Sequence, residues 1–330
     1  MFTIPVLKYH RVTPFVKDSI SIHPDDFEQH LILIKKLSYK SLFMPEIFDI
    51  IYKKGHIPSN KIAITFDDGF FDNWLYVFPL LKKYQIKATI FITTDFINNL
   101  ALRSLNPQTL SLVKTKTSDC FKKTLLGVKD NFLSWEEIFV MQDSGLVDFQ
   151  SHTTSHKHVF CNRKPIGKLI KDGRYSYYLL SALKRGKEGT AIFPTGESII
   201  TRAYLPYSNR YESKKGYRKR IFKEIFQSKL IIEKQLSKPC DFLAWPWGAY
   251  NATAIKLAKK VGFKMLMTTK TGSNSIFTRF FDIKRFTPAN SVNHFHEQLL
   301  KNSYLLPSWC VDEKLYKLFF KRRILKTVNK

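Results

Sequence analysis

The stretch Ile62-Ala63-Ile64-Thr65-Phe66-Asp67-Asp68-Gly69 joins a short apolar run to two adjacent carboxylates and a glycine. The apolar part is typical of a buried strand. Neighbouring side chains on a strand point to opposite faces. A strand that ends here therefore places one carboxylate beyond the sheet edge, where the chain turns and both can reach a common site. Gly69 permits the sharp bend that this requires.

A second strand-like run at 145–150 leads into Ser151-His152-Thr153-Thr154-Ser155-His156. The two histidines are four residues apart, and on a first helical turn they would share one face. With a carboxylate from Asp67 or Asp68 they make a set of three ligands that leaves a coordination position open, as catalytic metal sites do. Zinc fits these ligand types best, although other transition metals accept them.

Such a metal would lower the pKa of a bound water to about 7, and the second carboxylate could then act as general base. Taken alone, an Asp-Asp-Gly is usually a turn, and two histidines at this spacing are more often unrelated surface residues. The metal site is favoured over that alternative because both motifs occur at the ends of predicted strands.

Six short apolar runs predict strands, and the stretches between them predict helices. The strands are expected at 5–9, 62–66, 88–93, 146–150, 242–245 and 264–268. The helices are expected at 24–36, at 73–84 after an Asp72 cap, at 138–144 after the capping-box residues 134–137, at 214–236, and at 252–261 before Gly262. This alternation favours parallel strands in an α/β barrel or an open sheet.

The chain of 330 residues has a net charge of +27, and most of the excess lies in two places. Residues 163–238 carry 19 Lys/Arg against 6 Asp/Glu, and residues 314–330 carry 7 Lys/Arg and no acid. This charge favours anionic lipid, phosphorylated carriers, acidic glycans or nucleic acid as partners. A solubilising lysine-rich surface is the simpler alternative. The segment 315–326 suits an amphipathic helix, either lying on a membrane or packed on the domain.

Two features of the sequence favour a cytoplasmic location, the lack of a signal peptide and the lack of paired cysteines. The N-terminus lacks the basic region and apolar stretch of a signal peptide. No apolar run is long enough to span a membrane. The cysteines form no C-x-x-C pair and are expected to be free thiols in a reducing compartment; they are Cys120, Cys161, Cys240 and Cys310.

Two further motifs lie at predicted strand ends. Trp245-Pro246-Trp247-Gly248-Ala249-Tyr250 is a tight loop between a strand and a helix, where a backbone N–H could stabilise an oxyanion. An ordinary turn lined with core aromatics is the alternative. His10, in Tyr9-His10-Arg11-Val12, follows the first strand and is either a core or loop histidine or a catalytic acid.

The motifs at 65–69, 152–156 and 245–250, in this order, resemble those of the NodB-homology polysaccharide deacetylases, carbohydrate esterase family 4. The start at 9–12 resembles the branch that includes the biofilm poly-N-acetylglucosamine deacetylases, in which the catalytic histidine lies near the N-terminus. The resemblance covers about 4–160 and 240–290. It implies an α/β fold, a distorted (β/α)7 barrel, and hydrolytic removal of N-acetyl groups from amino sugars.

The resemblance also implies roles for individual residues. Asp67 would be the general base, and the ligands of one divalent metal, most simply Zn²⁺, would be Asp68, His152 and His156. The backbone N–H of Trp247 would join the metal in holding the oxyanion. His10 would protonate the leaving amine, a role for which His294 and His296 are less favoured.

One position departs from the family pattern. Many members have an arginine two residues before Pro246, where this chain has Ala244. Arg285 is our candidate for the missing positive charge beside the base. We expect a deacetylase barrel at 1–160 and 240–295, a basic Tyr-rich insertion at 161–239 that influences substrate choice, and a basic C-terminal extension at 296–330.

The predicted function is metal-dependent N-deacetylation of a surface polysaccharide or of its lipid-linked or nucleotide-linked precursor, with peripheral contact with anionic lipid at the inner membrane face. O-deacetylation by the same oxyanion chemistry is one alternative, and a non-catalytic glycan- or lipid-binding protein is the other. No nucleic-acid motif is present, which disfavours a specific nucleic-acid partner. The sequence predicts no oligomeric state.

Overall fold

The structure is a computed structural model that describes residues 1–304 except 54, 172, 184 and 185. Cys310 and the segment 315–326, expected to be amphipathic, lie outside the described residues. The three described cysteines are free thiols, as expected. No helix in the described part of the chain combines the length and the apolar character that crossing a bilayer needs.

The chain alternates strands with helices along most of its length. The strands are β1 (Val6–Tyr9), β2 (Arg11–Val12), β3 (Ser21–Ile22), β4 (Lys40–Ser41), β5 (Lys61–Asp68), β6 (Ala88–Ile92), β7 (Val147–Ser151), β8 (His158–Phe160), β9 (Gly167–Lys168), β10 (Ala191–Ile192), β11 (Thr195–Glu197), β12 (Tyr204–Leu205), β13 (Arg210–Tyr211), β14 (Phe242–Ala244) and β15 (Met265–Met267). The helices are α1 (Pro24–Lys36), α2 (Met44–Tyr52), α3 (Phe78–Tyr84), α4 (Pro107–Lys114), α5 (Thr117–Thr124), α6 (Trp135–Asp143), α7 (Tyr177–Ala182), α8 (Lys214–Leu236), α9 (Ala252–Val261) and α10 (Val292–Ser303).

The central sheet is parallel and has the strand order β1-β5-β6-β7-β14-β15, with β4 beside β5. The segment 283–286 closes it, because parallel bridges join Ile283 to Met267 and Phe286 to Leu7. Hydrogen bonds support the closure, since the Lys8 N–H donates to the Phe286 carbonyl at 2.8 Å. The ring of seven positions is distorted, because this closing segment is not a regular strand and β7 and β14 share one register pair. The predicted distorted (β/α)7 barrel is confirmed.

The six predicted barrel strands all form, with small shifts at their ends. The largest shift is in β5, which continues through both carboxylates because Asp67 and Asp68 still pair with Phe91 and Ile92 of β6. The predicted helices at 24–36, 214–236 and 252–261 have the expected bounds, and Gly262 ends the last of them in a left-handed conformation.

Side chains of the barrel strands alternate between two cores. Leu7, Ile64 and Phe66 face outward and join the large cluster under the surrounding helices. Ala63, Phe91 and other interior residues form a second cluster, which helix α2 covers. The interior therefore consists mainly of packed apolar side chains, and the polar residues of β5 at 65 and 67 share its interior face with Ala63.

The predicted cap at Asp72 is wrong. Its carboxylate makes no capping hydrogen bond, because it accepts instead from the Arg11 guanidinium at 2.8 Å and from the Val12 N–H at 3.2 Å. A buried ion pair thus replaces the cap, and it fixes the chain directly after His10.

The long helix of the predicted insertion is part of the barrel wall. Helix α8 packs on β7 and α9 and forms the connection between β7 and β14. At the other end of the chain, α10 runs across the expected boundary at residue 296 and packs on α1. The division of the chain into domains stays a prediction.

We predict that His30 makes the fold sensitive to acid. Its side chain is fully buried, with Nδ1 2.9 Å from the Tyr9 hydroxyl, and burial lowers the pKa of His30 to about 4. The unfolded state then binds a proton that the folded state does not, so the free energy of unfolding falls as the pH drops from about 6.5 towards 4. The loss is at most about 1.4 kcal/mol per pH unit for this group.

Urea unfolding of wild type and His30→Gln across pH 4–7 measures this contribution. We expect the variant to show a shallower dependence of the unfolding free energy on pH, with the difference confined to the range below about pH 6.5. His294→Gln, an exposed change on α10, is the matched control. Parallel curves for wild type and His30→Gln would contradict the assignment.

Candidate active site

The two adjacent carboxylates reach one site because the backbone leaves the strand conformation at the second of them. Asp67 follows the alternation of β5, but Asp68 has φ +73°, in the left-handed region that non-glycine residues seldom adopt. Gly69 continues at φ +78°, and a Cβ there would lie 2.9 Å from Ile92 Cγ2. Both conformation and space therefore require glycine at 69, and the turn directs Asp68 towards the carboxyl edge of the barrel.

Asp68 lies between two histidines that come from the end of β7. Its Oδ1 is 3.5 Å from His152 Nε2 and 3.5 Å from His156 Nε2. All three residues are buried, and their ligand atoms lie within 4.8 Å of one another. The structure thus brings together the three side chains that the sequence predicted as metal ligands.

The protonation states at this cluster suit a cation. The carbonyl of Ala244 lies 2.9 Å from His152 Nδ1 and can only accept, so Nδ1 carries the hydrogen and Nε2 presents a lone pair. Burial lowers the pKa of His152 to about 4, which keeps the imidazole neutral at pH 7. Asp68 Oδ1 is buried and has no hydrogen-bond donor among the described residues.

One oxygen of Asp68 therefore lies beside two imidazoles whose pKa values burial lowers, and His152 offers the lone pair of its Nε2 at this point. An unpaired buried carboxylate is costly, and burial followed by the charge of Asp67 raises the pKa of Asp68 well above its usual value. A divalent cation would remove that cost, and a set of two imidazoles and one carboxylate is typical of zinc. The residues present fit the metal that the sequence led us to expect.

The expected helical turn at 152–156 is wrong. The segment is an irregular loop, in which Thr153 has φ +67° and His156 has φ +51°. The imidazoles converge because left-handed residues fold the loop back on itself, and their ring centroids are 5.1 Å apart. A spacing of four residues suggested the convergence, but it did not reveal the backbone that produces it.

Neighbouring elements hold this loop on both sides. From the turn that follows β6, the N–H groups of Thr94 and Asp95 donate to the carbonyls of Thr153 and Thr154 at 3.2 and 2.8 Å. From α7, the Tyr177 hydroxyl donates to the His156 carbonyl at 3.0 Å.

The third support is Glu224 of helix α8, a residue that sequence reasoning missed. Its Oε1 accepts from the Ser155 N–H at 2.6 Å and from the Ser155 hydroxyl at 2.9 Å. Its own backbone carbonyl accepts from the Thr154 hydroxyl at 2.6 Å. A lone acid on the most basic stretch of α8 was the signal that could have identified it.

Arg285 binds the base candidate inside the barrel. Its two terminal nitrogens donate to the two oxygens of Asp67 at 2.6 and 2.8 Å. Burial is the largest influence and raises the pKa of Asp67, but the charge and hydrogen bonds of Arg285, with smaller contributions from His152 and His10, together hold that pKa below its usual value. Asp67 is therefore ionised at neutral pH. Many family members have an arginine at the position of Ala244 in β14. In this chain the small Ala244 lies in the barrel interior. The positive charge beside Asp67 comes instead from Arg285, in the segment 283–286 that closes the barrel.

His10 follows β1 and lies beside the same carboxylate. Its Nε2 is 4.0 Å from Asp67 Oδ2, and the side chain is 17% exposed, so it can reach both Asp67 and a bound molecule. Burial lowers the pKa of His10 to about 4, with the charge of Asp67 opposing the shift. His294 and His296 lie on α10. The structure therefore brings His10 to the carboxylates, while its role as acid stays a prediction.

The loop after β14 brings Trp247 against the cluster of Asp68, His152 and His156. Trp247 has φ +55°, and the centroid of its ring lies 4.0 Å from that of His156. Gly248 follows at φ +70°, where a Cβ would lie 2.1 Å from Thr269 Oγ1, so no larger residue fits there. The N–H groups of Gly248 and Ala249 donate within the loop at 2.8 and 2.9 Å. The Trp247 N–H is then the candidate oxyanion donor, a role that stays a prediction.

An aromatic wall extends from the cluster towards solvent. The ring of His158 stacks on Tyr178 at 4.6 Å and meets Trp247 edge-on at 4.6 Å. Tyr178 belongs to α7 of the predicted insertion and is 45% exposed. Sequence reasoning missed this wall, although the three tyrosines at 175–178 were a signal.

We predict that Glu224 is needed for tight metal binding. Glu224→Ala removes the acceptor for the Ser155 N–H and frees the loop between the two histidines. Loss of such an outer partner typically weakens metal affinity by about tenfold to a hundredfold. Zinc titration against a chelating dye measures the effect, and Glu224→Gln, which keeps one acceptor oxygen, should show a smaller loss.

The matched control is Glu233→Gln on the same helix, where the carboxylate pairs with Lys229 at 2.8 Å. That change should leave zinc affinity unaltered. A folded Glu224→Ala protein, by its thermal melt, that binds zinc as tightly as wild type would refute the supporting role.

Comparison with known proteins identifies relatives of the chain. Poly-β-1,6-N-acetyl-D-glucosamine N-deacetylase of Escherichia coli is 21% identical over 298 residues, which cover 89% of this chain and 38% of that protein. The enzyme of the same name from Staphylococcus epidermidis is 26% identical over 247 residues, which cover 74% of this chain and 60% of that protein. The chain thus spans about two fifths to three fifths of the length of these relatives.

A solved structure of a de-N-acetylase from Aggregatibacter actinomycetemcomitans has the same fold. It superposes with a TM-score of 0.66 at 21% identity, covering 90% of this chain and 99% of that one. The model of the polysaccharide deacetylase family matches residues 54–266, more than half of the chain. On this match, the chain belongs to the polysaccharide deacetylases, the NodB-homology group also called carbohydrate esterase family 4.

Proposed function

We propose that the protein is a metal-dependent N-deacetylase of an N-acetylglucosamine-containing polysaccharide. The observation that carries the proposal is the buried cluster of Asp68, His152 and His156 beside an ionised Asp67, in a chain of this family. The substrate class rests on the relatives, whose names specify N-deacetylation of poly-β-1,6-N-acetylglucosamine.

The reaction needs a base, an acid and a group that stabilises negative charge. A divalent cation held by the three ligands would polarise the acetyl carbonyl and make water more acidic. Asp67 accepts a proton from the attacking water, and Arg285 keeps that carboxylate ionised and oriented. The C–N bond then breaks, and His10, 4.0 Å from Asp67, passes the proton taken from water to the departing amine, which yields acetate and a free amino sugar.

Trp247 contributes in two ways under this proposal. Its backbone N–H donates to the oxyanion that forms when water attacks the carbonyl carbon. Its ring, with Tyr178, offers an apolar surface to the C–H face of a sugar. The left-handed backbone at Trp247 supports the first role, because strain of this kind is retained where a backbone group must point in a set direction.

The direct test is acetate release from β-1,6-linked N-acetylglucosamine oligomers, with zinc and with a chelator. Zinc-loaded protein should release acetate and chelated protein should not. UDP-N-acetylglucosamine and a lipid-linked N-acetylglucosamine test the precursor alternative, and an O-acetylated glycan tests ester hydrolysis. Release from the O-acetylated glycan alone, or from none of the substrates, would refute the proposal.

The expected cytoplasmic location is a proposal too, tested by cell fractionation.

We predict that Asp67→Asn lowers kcat by at least about a hundredfold, the usual contribution of a general base. Arg285→Met acts differently, because burial of Asp67 is then no longer opposed by a cation that pairs with it directly, and the pKa of Asp67 rises. Since the base must be ionised, the acidic limb of the kcat/KM profile should move to higher pH. Acetate release between pH 4 and 9 measures both effects.

Lys8 provides the comparison for Arg285, because it too is a cation near Asp67 but makes no direct ion pair with it in the described structure. Lys8→Met should shift the acidic limb much less than Arg285→Met. An unshifted profile for a folded Arg285→Met protein would show that Arg285 does not set the charge state of the base.

We predict that Tyr178 contributes to glycan binding and leaves the chemical step unaffected. Tyr178→Ala removes exposed aromatic surface beside Trp247 and should raise KM for an oligomer on the order of 2- to 10-fold with little change in kcat. Tyr178→Phe keeps the ring and should behave as wild type. Tyr207→Ala, at a tyrosine that is 97% exposed in the same predicted insertion, is the surface control. An equal KM for Tyr178→Ala and wild type would contradict the prediction.

A further inference from the structure

Helix α8 carries two parallel rows of side chains on its outer surface. One row is basic and repeats every four residues, at Lys215, Lys219 and Lys223, all exposed. The other row is apolar with the same repeat, at Phe222, Phe226 and Leu230. Residues four apart lie on one face of a helix, so each row is continuous, and the phenyl rings of Phe222 and Phe226 stack with centroids 5.4 Å apart.

Helix α9 extends this surface. Lys260 Nζ lies over the Phe222 ring at 5.9 Å from its centroid, and Lys256 lies one turn earlier on the same side of α9. Both lysines are exposed. We call the combined surface the α8/α9 face, defined by Lys215, Lys219, Lys223, Lys256 and Lys260 with Phe222, Phe226 and Leu230.

No carboxylate of α8 or α9 neutralises this surface. Helix α8 has two acids and α9 has none. Glu224 points away from the rows and binds Ser155 in the loop at 152–156, which we call the histidine loop. Glu233 pairs with Lys229 at 2.8 Å. The α8/α9 face therefore combines five lysines with an apolar row that solvent reaches, since Phe226 is 41% and Leu230 51% exposed.

We propose that the α8/α9 face docks the protein on the surface of a bilayer that contains anionic lipid. Lysines gain free energy near such a surface, and phenylalanine and leucine between them enter the boundary between headgroups and acyl chains. An apolar row distinguishes a bilayer from a soluble polyanion, which offers phosphates or carboxylates but no hydrocarbon.

Charge excludes the two occupants that the chain itself could supply. A second copy would bring two positive faces together. The C-terminal residues 314–330 carry 7 Lys/Arg and no acid, so they would be repelled from the same lysines. An anionic partner is thus the one that complements the charge of the face.

The α8/α9 face and the candidate site share one structural element. Glu224 holds the loop between His152 and His156 from the inner side of α8, while the two rows lie on the outer side of that helix. Docking would therefore hold the candidate site a fixed distance from the membrane, where a glycan attached to or emerging from that membrane is concentrated. This consequence rests on the proposed function, but the docking itself does not.

Vesicle flotation of the full chain tests the proposal without any activity measurement. Wild type should bind vesicles of phosphatidylcholine with phosphatidylglycerol, bind pure phosphatidylcholine weakly, and lose binding as salt increases. Lys219→Glu/Lys223→Glu should weaken binding on the order of tenfold or more, because four units of charge change at the contact. Phe226→Ser/Leu230→Ser should weaken it while leaving the charge unaltered.

Lys35→Glu/Lys36→Glu is the matched control, since it makes the same change in net charge at two exposed lysines at the end of α1. It should bind as wild type does. Equal weakening by the two charge variants would show attraction by net charge alone and would overturn the proposal. Undiminished vesicle binding by Phe226→Ser/Leu230→Ser would also overturn the proposal, because it would indicate a site for a soluble polyanion. Failure of the wild-type protein to bind vesicles would overturn it as well. Thermal melts establish that each variant is folded.

Discussion

Two adjacent carboxylates buried at the end of one strand are the constraint on which the rest of the site depends. Two negative charges in neighbouring side chains repel each other and lose their hydration. The protein compensates them separately. Arg285 binds both oxygens of Asp67 from inside the barrel, and the histidine pair surrounds Asp68 with neutral nitrogens that can share a cation with it. The two carboxylates thereby acquire different charge states and different chemistry.

This separation relies on backbone conformations that are individually unfavourable. Left-handed residues occur at Asp68, at Thr153 and His156 in the histidine loop, and at Trp247. Such conformations persist when the surroundings determine them. Strand β6, helix α7 and helix α8 each bind the histidine loop, and the space beside Gly248 admits no side chain. Several elements of the barrel therefore hold the site from different directions.

Helix α8 connects the candidate site with the outer surface of the barrel. Its inner side supports the histidine loop through Glu224, and its outer side forms the basic and apolar rows. The short helix α7 supports the loop through Tyr177 and presents Tyr178 beside Trp247. A stretch that the sequence marked as an insertion therefore supports the loop between His152 and His156, and it also carries the surfaces that we propose for sugar and for lipid.

Patterns in the sequence predicted parallel strands alternating with helices and the composition of the site, and the family resemblance implied that the sheet closes into a barrel. Strands, helices and their parallel arrangement follow from local periodicity and caps, and motifs at strand ends identified Asp67, Asp68, His152 and His156 because parallel strands bring their carboxyl ends to one edge. The sequence offered Arg285 as a candidate partner for the base, but the two hydrogen bonds by which it binds Asp67 and the support of the loop between the histidines are visible only in the folded barrel. Arg285 and Asp67 are more than two hundred residues apart in the chain, and Glu224 reaches Ser155 from another element. Contacts of this kind leave no local pattern, because they arise only when the barrel closes and brings remote segments together.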